Sequence, residues 1–298
     1  MVYSKILYCL RRKSLKIYIV IPVHNEEVYI KDCLTSLANQ SLLPEKIVVV
    51  DDNSTDNTAK IVKSLTKEFL FLKLIHKTSS NQHLPGKKVI RAFNYGLDTL
   101  DDSYDVICKF DGDLIFPKKY LETIALHFKS DSKIGMVSGH CYIQKNNAWI
   151  YENIASKSHT RGPIKAYKKA CFKAIGGLKI AVGWDSVDEL MALYFDWKFY
   201  TDHRLLVKHL KPTGANYDPK TAALQGKALY KMRSGFAIAL LSALKMAFNK
   251  KQLVVLFNYI NGYFSAWKAK SQYIVTESQG KFIRRYRWKA MWKKIIRI

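Results

Sequence analysis

KIVVVDDNSTD (residues 46–56) runs from a string of β-branched residues directly into an acidic turn. A short continuous apolar run closed by turn residues reads as a strand buried on both faces, the kind found in parallel sheets. Upstream, KIYIVIPV (16–23) has the same character, and Pro22 helps to end it. Between the two strands, Ile30, Cys33, Leu34 and Leu37 fall at helical spacing within 27–39. Downstream, Thr55 or Asp56 is placed to cap a helix running to about Lys67. The pattern continues with a strand over 71–76, a helix over 87–100 and a strand over 106–110 that ends at Asp111. Alternating strands and helices predict an α/β fold, with a mostly parallel sheet covered by helices. Later come a strand over 134–142, a glycine-punctuated loop (Gly176, Gly177, Gly183), a helix over 186–198 and a strand over 205–210.

Polar clusters recur just past the strand ends: His24-Asn25-Glu26, Asp51-Asp52 and Asp111-Gly112-Asp113. That edge of an open α/β sheet is where ligands bind. Asp111 and Asp113, separated by a glycine, can approach one divalent cation. Their hard oxygens suit Mg²⁺ or Mn²⁺, and an octahedral ion has room for diphosphate oxygens as well. Gly112 is expected to leave space for the ion and the diphosphate. A carboxylate of the Asp51-Asp52-Asn53 turn can accept the N3–H of a uracil; helix capping accounts for one of these three residues and not for all.

The chain has 298 residues, 48 % of them hydrophobic, enough for a sizeable core. Five scattered cysteines (Cys9, Cys33, Cys108, Cys141, Cys171) form no CxxC pair and read as small core residues in a reducing compartment. His140, His159, His203 and His209 show no metal-ligand spacing and read as satisfied or surface histidines. The N-terminal apolar stretch is broken by Arg11, Arg12 and Lys13, so neither an export signal nor a membrane-spanning helix is expected. The formal charge of +25 is one-sided: after Asp218 there are 17 Lys and Arg and a single carboxylate, Glu277. Such a charge implies an anionic partner surface, either nucleic acid or an anionic membrane leaflet.

IVIPVHNEE (19–27), VVVDDNSTD (48–56), GKKVIRAFNYGL (86–97) and FDGD (110–113) together resemble glycosyltransferase family 2, over roughly residues 16–210. The resemblance implies a GT-A fold and an inverting transfer from a nucleotide-sugar donor, UDP-linked, to a glycan or lipid-linked acceptor. Pro22, His24, Asn25 and Glu26 would shape the nucleotide pocket, and Asp52 would contact uracil with Asp51 supporting the turn. Lys87 or Arg91 would lie near the diphosphate, and Asp111 and Asp113 would be the metal motif. The family's general base maps onto Gly183-Trp184-Asp185-Ser186-Val187-Asp188-Glu189. Asp185 takes the base position, with Asp188 and Glu189 as alternatives because Trp184 replaces the first acid of the usual pair. Asp185 could equally be the N-cap of the following helix. Asp196-Trp197 stands where the family has Gly-Trp, and His159–Pro163 resembles a loop near the donor sugar or acceptor. Arg284–Trp288 reads R-x-x-R-W, as in processive relatives, but far downstream of its place there; it is taken as coincidence.

We divide the chain into a catalytic domain, 1–218, and a basic, aromatic-rich helical extension, 219–298. The last segment, 280–298, holds eight Lys and Arg, with Tyr286, Trp288 and Trp292 and no carboxylate. Cationic residues near an anionic leaflet contribute about 1 kcal/mol each, and Trp and Tyr favour its interface. The expected address is therefore the cytoplasmic face of a membrane, held peripherally. Nucleic acid is set aside because no recognition module is present. A nucleotidyltransferase would carry a Gly-rich loop after the first strand, which IPVHNEE lacks. A silent nucleotide-binding relative is disfavoured by Asp111, Asp113 and Asp185.

Overall fold

A computed structural model describes residues 15–79, 86–212 and 221–296. The first fourteen residues, with Cys9 and the N-terminal apolar stretch broken by Arg11, Arg12 and Lys13, and the boundary near 218 lie outside the described residues. The chain forms two compact units.

The first unit takes 15–79, 92–174 and 198–211 of the described residues and contains every strand. In chain order these are β1 (Ile17–Val23), β2 (Lys46–Asp52), β3 (Leu72–Lys77), β4 (Val106–Phe110), β5 (Leu114–Ile115), β6 (Ile134–Lys145), β7 (Ala148–Tyr151), β8 (Ile164–Lys168) and β9 (Lys198–His209). They make one sheet in the order β3-β2-β1-β4-β8-β6-β9-β5, with β7 paired to β6. The first four strands are parallel, Ile19 lying opposite Ile47 on one side and Cys108 on the other. β8 runs antiparallel to β4 and to β6. Helices α1 (Ile30–Ala38), α2 (Thr58–Leu65), the later part of α3 (Lys87–Leu97), α4 (Tyr120–Ser130) and α5 (Lys169–Ala174) belong to this unit. β1 and β2 are buried almost throughout, as continuous apolar runs require. Four cysteines, Cys33, Cys108, Cys141 and Cys171, are buried core residues outside any disulfide.

Several boundaries depart from the sequence expectation. β9 starts at Lys198, well before Leu205, because Lys198, Phe199, Tyr200 and Thr201 already pair with β6, and Asp202-His203-Arg204 bulge out before pairing resumes at Leu206. α4 was not among the expected elements, although its buried set Tyr120, Leu121, Ile124, Ala125 and Phe128 falls at helical spacing. Nor was β8, since its buried Lys165 breaks an apolar reading.

The second unit takes 86–91, 175–197, 212 and 221–296. It holds the start of α3, then α6 (Trp184–Tyr194), α7 (Thr221–Lys231), α8 (Phe236–Lys250), α9 (Leu253–Lys268) and α10 (Glu277–Ile295). α7 and α9 cross with glycine on both sides: a Cβ on Gly226 would overlap the Tyr259 carbonyl, and one on Gly262 the Ala223 carbonyl. α10 opens with a capping box in which Thr276 and Gln279 satisfy each other's backbone N–H groups. The arginines of the R-x-x-R-W stretch serve this unit's own packing. Arg284 donates to the Arg233 carbonyl at 2.7 Å, and Arg287 lies against Met232.

Candidate active site

The ends of β1, β2 and β4 meet where the strand order reverses, with β2 and β3 on one side of β1 and β4 on the other. The loops after β1 and β2 are tied into one wall. His24 Nδ1 lies 2.7 Å from the Asp52 carbonyl, and the Asn25 N–H donates to Ser54 Oγ at 3.0 Å. The Thr55 N–H donates to Asn25 Oδ1 at 2.8 Å, and the Glu26 N–H to Thr58 Oγ1 at 2.8 Å. Asn25 (φ +55°) and Asn53 (φ +62°) occupy the left-handed region that asparagine tolerates better than most residues. The N-cap of α2 is Asn57, which makes no side-chain cap bond, and not Thr55 or Asp56 as expected; Asp56, one residue earlier, accepts the Thr58 N–H.

Asp51 and Asp52 are both buried, and they are used differently. Asp51 accepts the Ser54 N–H at 3.2 Å and faces His76 Nδ1 at 3.0 Å. Asp52 Oδ1 is buried with no hydrogen-bond partner among the described residues; its nearest cation is Lys77 Nζ at 3.7 Å. A buried acceptor without a hydrogen bond costs about 1–3 kcal/mol.

At the Asp111-Gly112-Asp113 turn, the Asp111 N–H is held by the Pro163 carbonyl at 3.0 Å and its carboxylate by Lys109. This ties the His159–Pro163 loop to the turn. Gly112 has a packing reason beside the one expected. A Cβ there would stand 2.8 Å from Val23 Cγ1 and 3.3 Å from Ile30 Cδ1, so packing against β1 and α1 excludes a side chain.

Asp113 is buried, and its Oδ2 lies 3.4 Å from His209 Nε2. The opposite nitrogen of His209, Nδ1, is 3.0 Å from Glu152 Oε2, which in turn takes a 2.7 Å bond from Arg161. Burial alone would favour the neutral ring, but the carboxylates of Asp113 and Glu152 outweigh it and raise the His209 pKa to about 9. Glu26 bonds Lys211 through Oε1 at 3.1 Å and leaves Oε2 buried without a partner among the described residues. Its pKa is raised, first by burial and then by the charge of Asp113, with Asp111 adding a smaller push. Repulsion among these carboxylates is what a bound cation would relieve. Sequence reasoning missed His209 and Glu152: β5 pairs Leu114 with His209, a register that no local motif announces.

Cys141, Glu152 and His209 also offer potential ligand atoms within 4.8 Å of one another. Glu152 is already paired with Arg161, and burial pushes the Cys141 thiol up to about 12. We read this trio as support for His209, and the Asp113 side of the ring as the side open to an ion.

The remaining sequence candidates lie in the second unit. α6 begins at Trp184, two residues earlier than expected, with Gly183 (φ +74°) as its N-cap. Asp185 is therefore inside the first turn and is not the cap. It is half-buried, whereas Asp188 and Glu189 are buried, and the Glu189 N–H donates to Asp188 Oδ1 at 2.7 Å. The helix stops at Tyr194, short of Lys198, because Asp196 turns left-handed (φ +61°) and the Trp197 N–H closes onto the Ala192 carbonyl. That conformation explains why glycine is usual where this chain has Asp196. Lys87 opens α3, and Gly86 before it lies close to the Ala181 carbonyl on the approach to α6. Arg91 is exposed. Lys231 has a lowered pKa, from burial first and then from the charges of Lys87 and Lys227, so three cations gather here.

The sequence pattern described as Glycosyl transferase family 2 matches residues 18–180, more than half of the chain. The chain belongs to glycosyltransferase family 2. A probable glycosyltransferase of Bacillus subtilis, YdaM, is 33 % identical over 126 residues, covering 42 % of this chain and 29 % of that protein. A Campylobacter jejuni GalNAc(5)-diNAcBac-PP-undecaprenol beta-1,3-glucosyltransferase is 28 % identical over 130 residues, covering 44 % and 39 %. The match thus spans less than half the length of these relatives. Among solved structures, Pyrobaculum calidifontis mannosyltransferase PcManGT with GDP-Man and Mn²⁺ superposes with a TM-score of 0.56 at 16 % identity, covering 97 % of this chain and 87 % of that one. Residues 1–349 of Staphylococcus aureus TarS with UDP-GlcNAc give 0.55 at 19 % identity, covering 90 % and 78 %. The family 2 fold, GT-A, is shared with both.

Proposed function

We propose that this chain is an inverting glycosyltransferase that moves a sugar from a nucleoside-diphosphate sugar, UDP-linked, to a hydroxyl of a glycan or lipid-linked acceptor. The observation that carries the reading is the buried Asp52 Oδ1, without a hydrogen-bond partner among the described residues, at the same sheet edge as Asp111 and Asp113. It is positioned to accept a uracil N3–H, while the exposed His24 ring, anchored through Nδ1, offers a face to the base. Pro22, Asn25 and Glu26 shape that pocket, and Asp51 holds the turn. Support comes from the structural neighbours, one bound to UDP-GlcNAc and one to GDP-Man with Mn²⁺.

Two carboxylates, from Asp111 and Asp113, and the His209 imidazole once a cation displaces its Nε2 proton, fit Mg²⁺ or Mn²⁺, with Mn²⁺ the better match to a nitrogen ligand. Held there, the cation would supply positive charge against the departing diphosphate. On the chain's own side, Lys87 or Arg91 carries further positive charge for that diphosphate. Asp185 takes the proton of the attacking hydroxyl, whose oxygen bonds to the anomeric carbon as the bond to the diphosphate breaks on the opposite face. Asp185 is preferred over Asp188 and Glu189 because it is the least buried of the three.

The basic extension supports an address on the anionic inner face of a membrane, where a lipid-linked acceptor would be found; the Campylobacter relative's name points to an undecaprenol-linked one. A thermal-shift screen of nucleotide sugars with Mn²⁺ tests the donor class. A UDP-sugar should stabilise the protein in the presence of Mn²⁺, and Asp113→Asn should remove both that stabilisation and metal-dependent transfer. Full transfer activity in Asp113→Asn would sink the metal role.

A further inference from the structure

We propose that the α8–α9 hairpin is a membrane-inserting element, which dips its exposed apolar face into an anionic leaflet while the lysines around it meet lipid phosphates. The inference rests on the membrane address proposed above and assigns it to a part of the molecule other than the basic C-terminal segment.

α9 (LVVLFNYINGYFSAWK) is apolar on both sides, and only one side is used inside the unit. Val255, Tyr259, Gly262 and Ala266 form its buried stripe, facing α7 across the glycine crossing. The opposite stripe is left in solvent: Leu253 is 73 % exposed, Phe257 63 % and Trp267 60 %, with Val254 and Phe264 beside them. α8 continues the same surface through Leu241, Leu244 and Phe248, the last 84 % exposed. Phe236 at the start of α8 lies 5.1 Å, ring to ring, from Phe264 near the end of α9, so the helices run antiparallel and Phe248 and Leu253 share the tip. A crevice of about 650 Å³ between Leu244, Phe248, Leu253 and Leu256 joins the two helices at that tip.

A helix that is apolar all round is either buried or in contact with lipid. Among the described residues no helix is long and apolar enough to cross a membrane, which leaves shallow insertion. Charge names the occupant. Lys245, Lys250, Lys251, Lys268 and Lys270 border the apolar face, and between Asp218 and Glu277 the sequence has no carboxylate. Arg287 has no carboxylate partner among the described residues and lines a second crevice with Lys245 and Ser242. An apolar tip ringed by cations matches an anionic bilayer; a second copy of this chain would bring the same uncompensated charge to the contact.

The test is flotation of the full chain with vesicles of phosphatidylcholine alone and of phosphatidylcholine with 30 % phosphatidylglycerol, at low and at 0.5 M salt. The proposal expects wild type to float with the anionic vesicles at both salt concentrations. The triple variant Phe248→Ser/Leu253→Ser/Phe257→Ser should float at low salt, through its basic residues, and lose at least ten-fold of its bound fraction at 0.5 M. Equal flotation of the two proteins at high salt overturns the hairpin and leaves the membrane address standing. Failure of wild type to float even at low salt overturns both. A wild-type dimer in sedimentation that the triple variant dissolves, with no change in flotation, assigns the face to a second copy and also overturns the proposal. Should the triple variant lose its cooperative melt, Phe248→Ser alone, at the most exposed position, carries the same comparison.

Discussion

His209 bridges two buried carboxylates: Nε2 lies 3.4 Å from Asp113 Oδ2, and Nδ1 lies 3.0 Å from Glu152 Oε2. A ligating imidazole is commonly oriented in this way, by a carboxylate on its second nitrogen. His209→Ala should therefore weaken Mn²⁺ binding about 100-fold, and Glu152→Gln by about 10-fold, through the orientation of the ring. Titration calorimetry with Mn²⁺ in the presence of UDP reads both. Wild-type affinity in His209→Ala would confine the metal to Asp111 and Asp113.

Asp52 sets stability against binding. Its Oδ1 is buried without a hydrogen bond, with Lys77 Nζ 3.7 Å away as an ion-pair partner, so the apo protein bears a desolvation cost that a ligand donor would relieve. Asp52→Ala is expected to leave the apo melting temperature unchanged or slightly raised. UDP binding should weaken by about ten-fold, equivalent to about 1.4 kcal/mol. A Tm that falls sharply while UDP affinity is unaltered would make Asp52 a purely structural residue.

How much of this was legible in the sequence follows from where each constraint lies. The strand ends at Asp52 and Asp111 were readable because a buried apolar run must stop before a charged turn, and both do so within two residues of the expected points. His209 and Glu152 were not readable. Their roles depend on the β5–β9 register and on the Arg161 pairing, which join residues far apart in the chain. Gly112 and Asp185 show a subtler limit. Each was noticed, but only the contact of Gly112 with Val23 and the helix start at Trp184 gave the physical reason. The reach of β9 through Asp202 was hidden because its polar residues are satisfied by side-chain partners.

Asp185→Asn should separate binding from chemistry. The amide keeps the shape of the side chain and cannot take a proton, so UDP-sugar affinity should stay within about two-fold while the transfer rate falls by about 10²–10⁴. Single-turnover transfer measured beside donor binding distinguishes the two effects. A fully active variant would move the base to Asp188 or Glu189.

Asp202 should give the first unit a measurable acid dependence. The Arg204 guanidinium holds its carboxyl well below the usual carboxylate range, against the effect of burial and with help from His127. A depressed folded-state pKa contributes stability above the unfolded value, near 4, and that stability is lost as pH falls toward the folded value. Arg204 is mostly exposed, so the contribution at pH 7 is discounted for screening to about 1–2 kcal/mol. Urea melts should show Asp202→Asn less stable than wild type by this amount at pH 7, with the gap narrowing below pH 4. A gap that stays constant from pH 7 to pH 3 would rule out the ionised carboxylate as its source.

The α7–α9 crossing should be the most substitution-sensitive point of the second unit. At Gly226 and Gly262 the obstacle to a side chain is main chain, the carbonyls of Tyr259 and Ala223, and neither can swing aside as a side-chain tip would. Gly226→Ala gains about 1 kcal/mol in helix propensity and forces the helices apart, at about 1–3 kcal/mol or more because the clash is with backbone. The net result should be a lower unfolding temperature for both Gly226→Ala and Gly262→Ala, read by circular dichroism. The double variant should fall by less than the sum of the two, since one displacement of α9 relieves both overlaps. Strict additivity would show that the two glycines act at independent contacts.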